Sequence, residues 1–322
     1  MSRMGEDDGW SSCIERARSA RRLEIAVVAV CALVSLAGCR RAPRSDGPVY
    51  HDQPPSLTTK TYHFAVHPLH NPQKLIEAYQ PLIDHLNRHL SGARMELEAS
   101  RDYQAFEAKL RARVPEFVLP NPWQTLLALK AGYGVMAMAG DAEDFTGLFI
   151  TRKDSGIKVP GDLKGKAVSY PSPTALAACV MPQFFLHTHG IDVNRDVVNL
   201  YVGSQESSIM NAYLGKSAVA ATWRPPWRLF QQDHPQEASQ LTVVWETPSL
   251  VNNAVMARGD VPVAVRDRVR VILLELPQDP AGRAILAGMQ IARFHPADDD
   301  TYTPVREYVA RFEREVRPVE PP

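Results

Sequence analysis

Three places in the sequence set an Asn or a Ser directly before a proline, after a strand-like run. They are Asn71-Pro72, Asn121-Pro122 and Ser172-Pro173. Asn and Ser cap helices well, and Pro suits the first helical turn, where its missing N–H costs nothing. Each pair follows a strand-like run, so each predicts a strand leading into a capped helix N-terminus. Such an end offers unpaired N–H groups and a positive dipole to an anion. Most capped helices bind nothing, and one such motif alone says little. Three in one chain point to an anion-binding cleft, with Ser172, Thr174 and the Ala175 amide on one side and Asn121 on the other. Tyr103, Trp123 and Tyr170 are candidate aromatic walls. Trp223 and Arg224, in Trp223-Arg224-Pro225-Pro226-Trp227-Arg228, are a candidate planar oxyanion clamp.

Other chemistry is poorly supplied. There is no Gly-x-Ser-x-Gly elbow and no Gly-rich phosphate loop ending in Lys-Ser/Thr. His85 and His89 stand one helical turn apart, without the Glu of a metalloprotease, and on the expected solvated face. His67, His70, His187 and His189 keep a zinc-cargo reading open. No catalytic residue, cofactor or resident metal is called for. Thirty-six basic and 36 acidic residues balance in a chain of 322, which argues against a nucleic-acid partner.

The elements that would position these residues alternate. Tyr62–His67 reads as a strand. Leu75, Tyr79, Leu82, Ile83, Leu86 and Leu90 then form one apolar helical face, interrupted by Pro81 and stopped by Gly92. Met95–Ala99, Glu116–Leu119, 134–139 and 146–151 follow as strands, with helices from Tyr103 and from Pro122. Lys166–Tyr170 leads to a helix from Pro173 to about His189. Asn199–Val202 and Ala218–Thr222 flank a helix at 206–214. Leu241–Trp245 and Ala254–Arg258 precede two helices, Val263–Leu276 and Asp279–Met289. This order predicts an α/β fold.

The N-terminus is a different kind of segment. Ile25–Gly38 carries no charge and follows Arg16, Arg18, Arg21 and Arg22, as in a secretory signal. It is too short for a comfortable membrane span. Its end, Leu36-Ala37-Gly38-Cys39, resembles a bacterial lipobox, which implies cleavage before Cys39 and lipidation of its sulfur. Arg40 is not the aspartate associated with inner-membrane retention. Residues 39–60, rich in Pro, read as a tether. Cys179 is then the one remaining cysteine of the mature chain, expected in the core.

From about Tyr62 to Val316 the chain resembles the phosphate/phosphite/phosphonate-binding proteins of ABC importers, a type II periplasmic binding protein family. Phe64-Ala65-Val66-His67-Pro68, Tyr79-Gln80-Pro81-Leu82, Arg152–Ile157 with Asp162–Lys166, Gly203-Ser204, Gly215-Lys216 and Ala297–Val305 carry the resemblance. It implies two α/β lobes, 61–148 plus 252–322 and 149–251, with a ligand cleft between them. It also implies an ABC permease partner, a monomer, and a place on the outer side of the membrane. A sensory lipoprotein that signals to a membrane receptor is the other reading. The departures are local. The family's Ser/Thr-rich turn ending in Ser-Gly is here Ser172-Pro173-Thr174-Ala175-Leu176. Its His after Gly203 is replaced in Ser204-Gln205-Glu206, with Ser204 kept as a candidate contact. Its Val and Asp after Gly215 are Ser217 and Ala218. An Asp expected before Asn121 is replaced in the Pro115-Glu116 region, which argues against aminoalkylphosphonate recognition and leaves anion recognition standing. The implied cargo is phosphate, phosphite or an alkylphosphonate.

Overall fold

The computed structural model describes residues 59–320. The signal segment 1–38 and Cys39 lie outside the described residues, as does nearly all of the tether. Two sheets carry the fold. The first contains β1 (Lys60–Val66), β2 (Ala93–Glu98), β3 (Phe117–Leu119), β4 (Tyr133–Ala139), β10 (Ala254–Arg258) and β11 (Phe294–Pro296), in the order β11-β4-β10-β3-β1-β2. The second contains β5 (Gly147–Arg152), β6 (Ala167–Tyr170), β7 (Val198–Tyr201), β8 (Val219–Trp223) and β9 (Leu241–Glu246), in the order β7-β6-β8-β5-β9. In each, a parallel trio joins antiparallel strands: β1 with β2 and β3, and β6 with β7 and β8. The carboxyl ends of the parallel strands are where an open α/β sheet binds ligands.

The helices form where apolar periodicity and caps agree. Helix α1 (Pro72–His89) runs through Pro81, buries Leu75, Tyr79, Leu82, Ile83 and Leu86, and is capped by Asn71, which accepts from the Lys74 N–H at 3.0 Å. Helix α2 is Tyr103–Arg111 and α3 is Pro122–Lys130. Asn121 and Gln124 close a reciprocal capping box at the start of α3, at 3.0 and 3.2 Å. These two Asn-Pro starts are as the sequence predicts.

The third is not. Ser172 lies in a turn, its carbonyl accepting from the Ala175 N–H at 3.2 Å. The helix begins with a wide π-turn over Leu176–Val180 and continues as α4 (Met181–Thr188). Its first ladder bond runs from the Val180 N–H to the Ala175 carbonyl at 3.2 Å, so the amides of Leu176–Cys179 stand ahead of the ladder. Helix α5 is Gln205–Tyr213. Helix α6 (Arg224–Asp233) occupies the stretch read from sequence as a candidate clamp, to which no helix was assigned. Pro225 and Pro226 fall in its first turn, where neither breaks a bond. Pro235–Ala238 forms the short α7, and α8 (Val263–Glu275), α9 (Pro280–Gly288) and α10 (Thr303–Glu315) complete the chain. His85, expected on a solvated face, is buried, because α9 packs against α1.

Two crossings join the sheets side by side. The Gly147 N–H donates to Thr247 Oγ1, and the Thr247 N–H donates to the Gly147 carbonyl, both at 2.9 Å. A Cβ on Gly147 would stand 2.5 Å from the Ala177 carbonyl oxygen, in the first turn of the lobe-two helix. Glycine there lets a crossing and that helix touch. Gly147→Ala is expected to cost about 2–4 kcal/mol in urea unfolding, because the clash is with backbone.

Candidate functional site

A cavity of about 600 Å³ opens between the sheets, lined by Tyr103, Glu107 and Arg111 of α2, by Pro171, Ser172, Pro173 and Thr174 after β6, by Tyr201 at the end of β7 and by Gly203 just beyond it. Asp102, Gln104 and Glu320 complete the rim. The two hydroxyls singled out from sequence meet here. Ser172 Oγ and Thr174 Oγ1 lie 3.0 Å apart, and both residues are largely buried. Ser172 Oγ also accepts from the Thr174 N–H at 3.3 Å, which fixes the turn. From the carboxyl-terminal extension, Arg317 donates to the Pro173 carbonyl at 3.1 Å and to Gln183 Oε1 at 2.8 Å. The turn is thereby held from both sides before any ligand arrives.

Lobe one reaches the same turn. Asn121 Nδ2 donates to the Thr174 carbonyl at 3.2 Å, while Asn121 Oδ1 caps α3. Tyr103 is buried at the start of α2, and its hydroxyl accepts from Gln205 Nε2 at 3.4 Å. Burial pushes the Tyr103 phenol above its ordinary range, so it stays a neutral hydroxyl. Gln205 is held from behind by Thr222 Oγ1, which donates to its Oε1 at 2.8 Å. Asn121, Tyr103, Ser172, Thr174 and Ala175 are thus brought together beyond the ends of β2, β3 and β6, at the helices that follow them.

The other candidates are placed elsewhere. Tyr170 is fully buried behind the turn, with its ring 5.9 Å from that of Tyr201. Trp123 is buried in α3 and is not among the cavity residues. Ser204 caps α5, accepting from the Ser207 N–H at 3.1 Å, so its oxygen is committed, although neighbouring Gly203 lines the cavity. Trp223 packs on Phe145 with ring centres 5.3 Å apart. Arg224, the candidate clamp, is not among the residues that line the cavity. It sits in the first turn of α6, a third exposed or more, and pairs with Glu246 at 2.6 Å. The helical start turns its side chain toward β9 and away from the cavity. The Ala175 amide is itself taken by the Ser172 carbonyl; the buried amides of Leu176–Cys179 that follow it are open only in lacking a ladder partner, and their residues lie behind those that line the cavity.

Glu107 was not singled out from sequence. It is 3% exposed, and its Oε1 accepts from Thr174 Oγ1 at 2.6 Å and from Gln124 Nε2 at 3.0 Å. Burial raises its carboxyl pKa, while the bonds from Thr174 and Gln124 oppose that rise. The signal was present: Tyr103, Phe106, Glu107 and Leu110 follow at i, i+3, i+4 and i+7, so a carboxylate stands in an apolar stripe.

His67 follows β1 directly and lies beneath α2, fully buried, with Nδ1 donating to the Leu119 carbonyl at 3.0 Å. Burial lowers its pKa to about 4, the backbone bond offsetting part of that fall. Its ring stands edge-on to Tyr103 and Phe106, at 6.2 and 6.5 Å. It is a structural floor to α2. Cys179 is fully buried, as its sequence context predicted, and burial pushes its thiol up to about 12.

Comparison with known proteins agrees with this architecture. The model of a family described as ABC transporter, phosphonate, periplasmic substrate-binding protein matches residues 64–302. The fold is similar to that of a binding protein component of an ABC phosphonate transporter from Pseudomonas aeruginosa, with a TM-score of 0.74 and 17% identity over 80% of this chain and 88% of that one. A Prochlorococcus marinus protein in complex with methylphosphonate gives a TM-score of 0.73 and 18% identity, over 80% of this chain and 99% of that one. A Xanthomonas citri protein bound to chloride ion gives 0.65 and 21%, over 79% and 98%. Identities this low speak for the two-lobed fold alone, whereas the family model spans most of the sequence. With a two-lobed fold, a cleft at the strand ends and a match of that length, the chain belongs to the family of periplasmic substrate-binding proteins of ABC phosphonate transporters, which bind their cargo and do not transform it.

Proposed function

We propose that the chain captures phosphate, phosphite or an alkylphosphonate in the 600 Å³ cavity and presents it to an ABC permease. The observation that carries this reading is the Ser172–Thr174 hydroxyl pair, facing that cavity just ahead of the open amides of Leu176–Cys179. Preorganised hydroxyls and amides hold an oxyanion by charge-assisted hydrogen bonds without a full countercharge. Asn121 supports the turn from the other lobe, and Tyr103 forms the opposing wall. A relative of the same fold is in complex with methylphosphonate, which supports the ligand class.

Lobes of 61–148 plus 252–322 and 149–251 would close about the paired crossings at Gly147 and Thr247, a hinge motion between rigid sheets. The mature protein is a monomer held to the outer side of a membrane by lipid on Cys39. Mass spectrometry of the membrane-extracted protein tests the anchor: a diacylglyceryl adduct on an N-terminal Cys39 is expected, and a chain still carrying residues 1–38 contradicts it. Titration calorimetry of the compact unit Leu57–Pro322 tests the cargo, using phosphate, phosphite, methylphosphonate and aminoethylphosphonate. Saturable 1:1 binding of one of the first three is expected. A folded protein that binds none of them overturns the reading.

A further inference from the structure

The cavity proposed to hold an anion is short of positive charge. Its charged residues are Asp102, Glu107, Glu320 and Arg111, and Arg111 is already paired with Glu320. The carboxylate of Glu107 sits beside the anion-binding hydroxyls themselves: Thr174 Oγ1 is 2.6 Å from Glu107 Oε1 and 3.0 Å from Ser172 Oγ. The other oxygen, Oε2, has no hydrogen-bond partner among the described residues, and it is not one of the sealed, unpartnered polar atoms. An open lone pair therefore faces the space that Glu107 lines, which is the cavity.

The proton count then limits what can bind. Thr174 has one hydroxyl proton, and the short contact gives it to Glu107. If Thr174 turns that proton to an incoming anion, a buried carboxylate loses its shortest bond. If it does not, Thr174 offers the anion only a lone pair. In both cases the ligand meets an acceptor, and two like charges at such range require a proton between them. An oxyanion with an acidic hydroxyl brings that proton. A sulfonate or sulfate, fully ionised and acceptor-only, does not.

We propose that Glu107 makes the site selective for oxyanions that carry their own proton donor, the singly protonated phosphonate or hydrogenphosphate class, and excludes isosteric sulfonates and sulfate. The P–O–H group donates to Glu107 Oε2, while the charged oxygens accept from Ser172 and the open amides. This rests on the oxyanion reading above and names the class within it.

The test is competitive calorimetry of Leu57–Pro322 with methylphosphonate and methanesulfonate, two tetrahedral methyl anions, at a pH where both are monoanions. The wild type is expected to prefer methylphosphonate by about 100-fold or more, the scale on which an unpaired buried polar group discriminates. In Glu107→Gln the amide can turn its N–H to either anion, so the preference is expected to fall below about 10-fold, mainly through gained methanesulfonate affinity. Glu107→Asp, a shorter carboxylate, should keep the preference even if both affinities drop. A wild type that binds both anions alike, or a Glu107→Gln variant with an unchanged ratio, overturns the selectivity and leaves the oxyanion reading standing. A folded wild type that binds neither overturns both.

Discussion

Replacing both hydroxyls, in Ser172→Ala/Thr174→Ala, is expected to weaken oxyanion binding by about 100-fold to 10,000-fold. Ser172 can give one hydrogen bond to a charged oxygen, while Thr174, whose proton goes to Glu107, sets the carboxylate that receives the ligand's own proton; each of these is worth roughly 1.5–3 kcal/mol when made in a buried site. Ser172 and Thr174 are 8% and 4% exposed, so water cannot replace them cheaply. Thr174 also supplies the 2.6 Å bond to Glu107, so the double variant is expected to lose some stability. Ser172→Ala alone spares that bond and should still weaken binding by about tenfold or more, with its unfolding curve little changed. Arg224→Ala is the matched control. Its guanidinium is spent on Glu246 at the surface, so affinity should stay within about twofold. Calorimetry of the three variants beside the wild type checks all of this. An Arg224→Ala variant that loses as much affinity as the hydroxyl pair would place the anion elsewhere.

The second large effect is on stability against acid. His67 is neutral in the folded protein, with a pKa near 4 against an ordinary value of 6.5. The unfolded chain therefore binds the extra proton first as pH falls. Stability from this group is full above pH 6.5 and is lost between about 6.5 and 4. The 2.5-unit gap corresponds to about 3 kcal/mol. His70, less deeply buried, is also held near 4 by burial and by the neighbouring His67, and it titrates in the same window. Urea unfolding at pH 7 and pH 5 should show the wild type losing about 2 kcal/mol to His67 alone. His67→Gln keeps an amide donor near the Leu119 carbonyl and cannot ionise, so it should remove that share of the slope, even if it is less stable at pH 7. An unchanged slope in His67→Gln would mean that His67 is not the titrating group.

What the sequence disclosed follows from which forces are local. Asn71-Pro72 and Asn121-Pro122 are local signals, because the cap and the first turn lie within four residues, and both were legible. Ser172-Pro173 has the same letters and a different outcome. Its turn is fixed by Arg317, 144 residues away, and its helix is displaced to a π-turn against Gly147. Nothing near Ser172 encodes either contact. Helix α6 was missed, although two prolines at a helix start are tolerated. Arg224 was misplaced for that reason: its direction depends on the helix that begins with it. The burial of His85 needed α9, a partner nearly 200 residues on. Glu107 was readable in principle, as the one carboxylate in an apolar stripe, but its partners Thr174 and Gln124 belong to different elements.

Ligand placement is the most direct test of the account. A crystal structure of Leu57–Pro322 grown with methylphosphonate is expected to show the phosphorus group in the cavity between the sheets. Its oxygens should lie within hydrogen-bond distance of Ser172 Oγ and Thr174 Oγ1, with at least one near the amides of Leu176–Cys179. A ligand bound at Arg224 and Glu246, or a cavity left empty at saturating methylphosphonate, would contradict it.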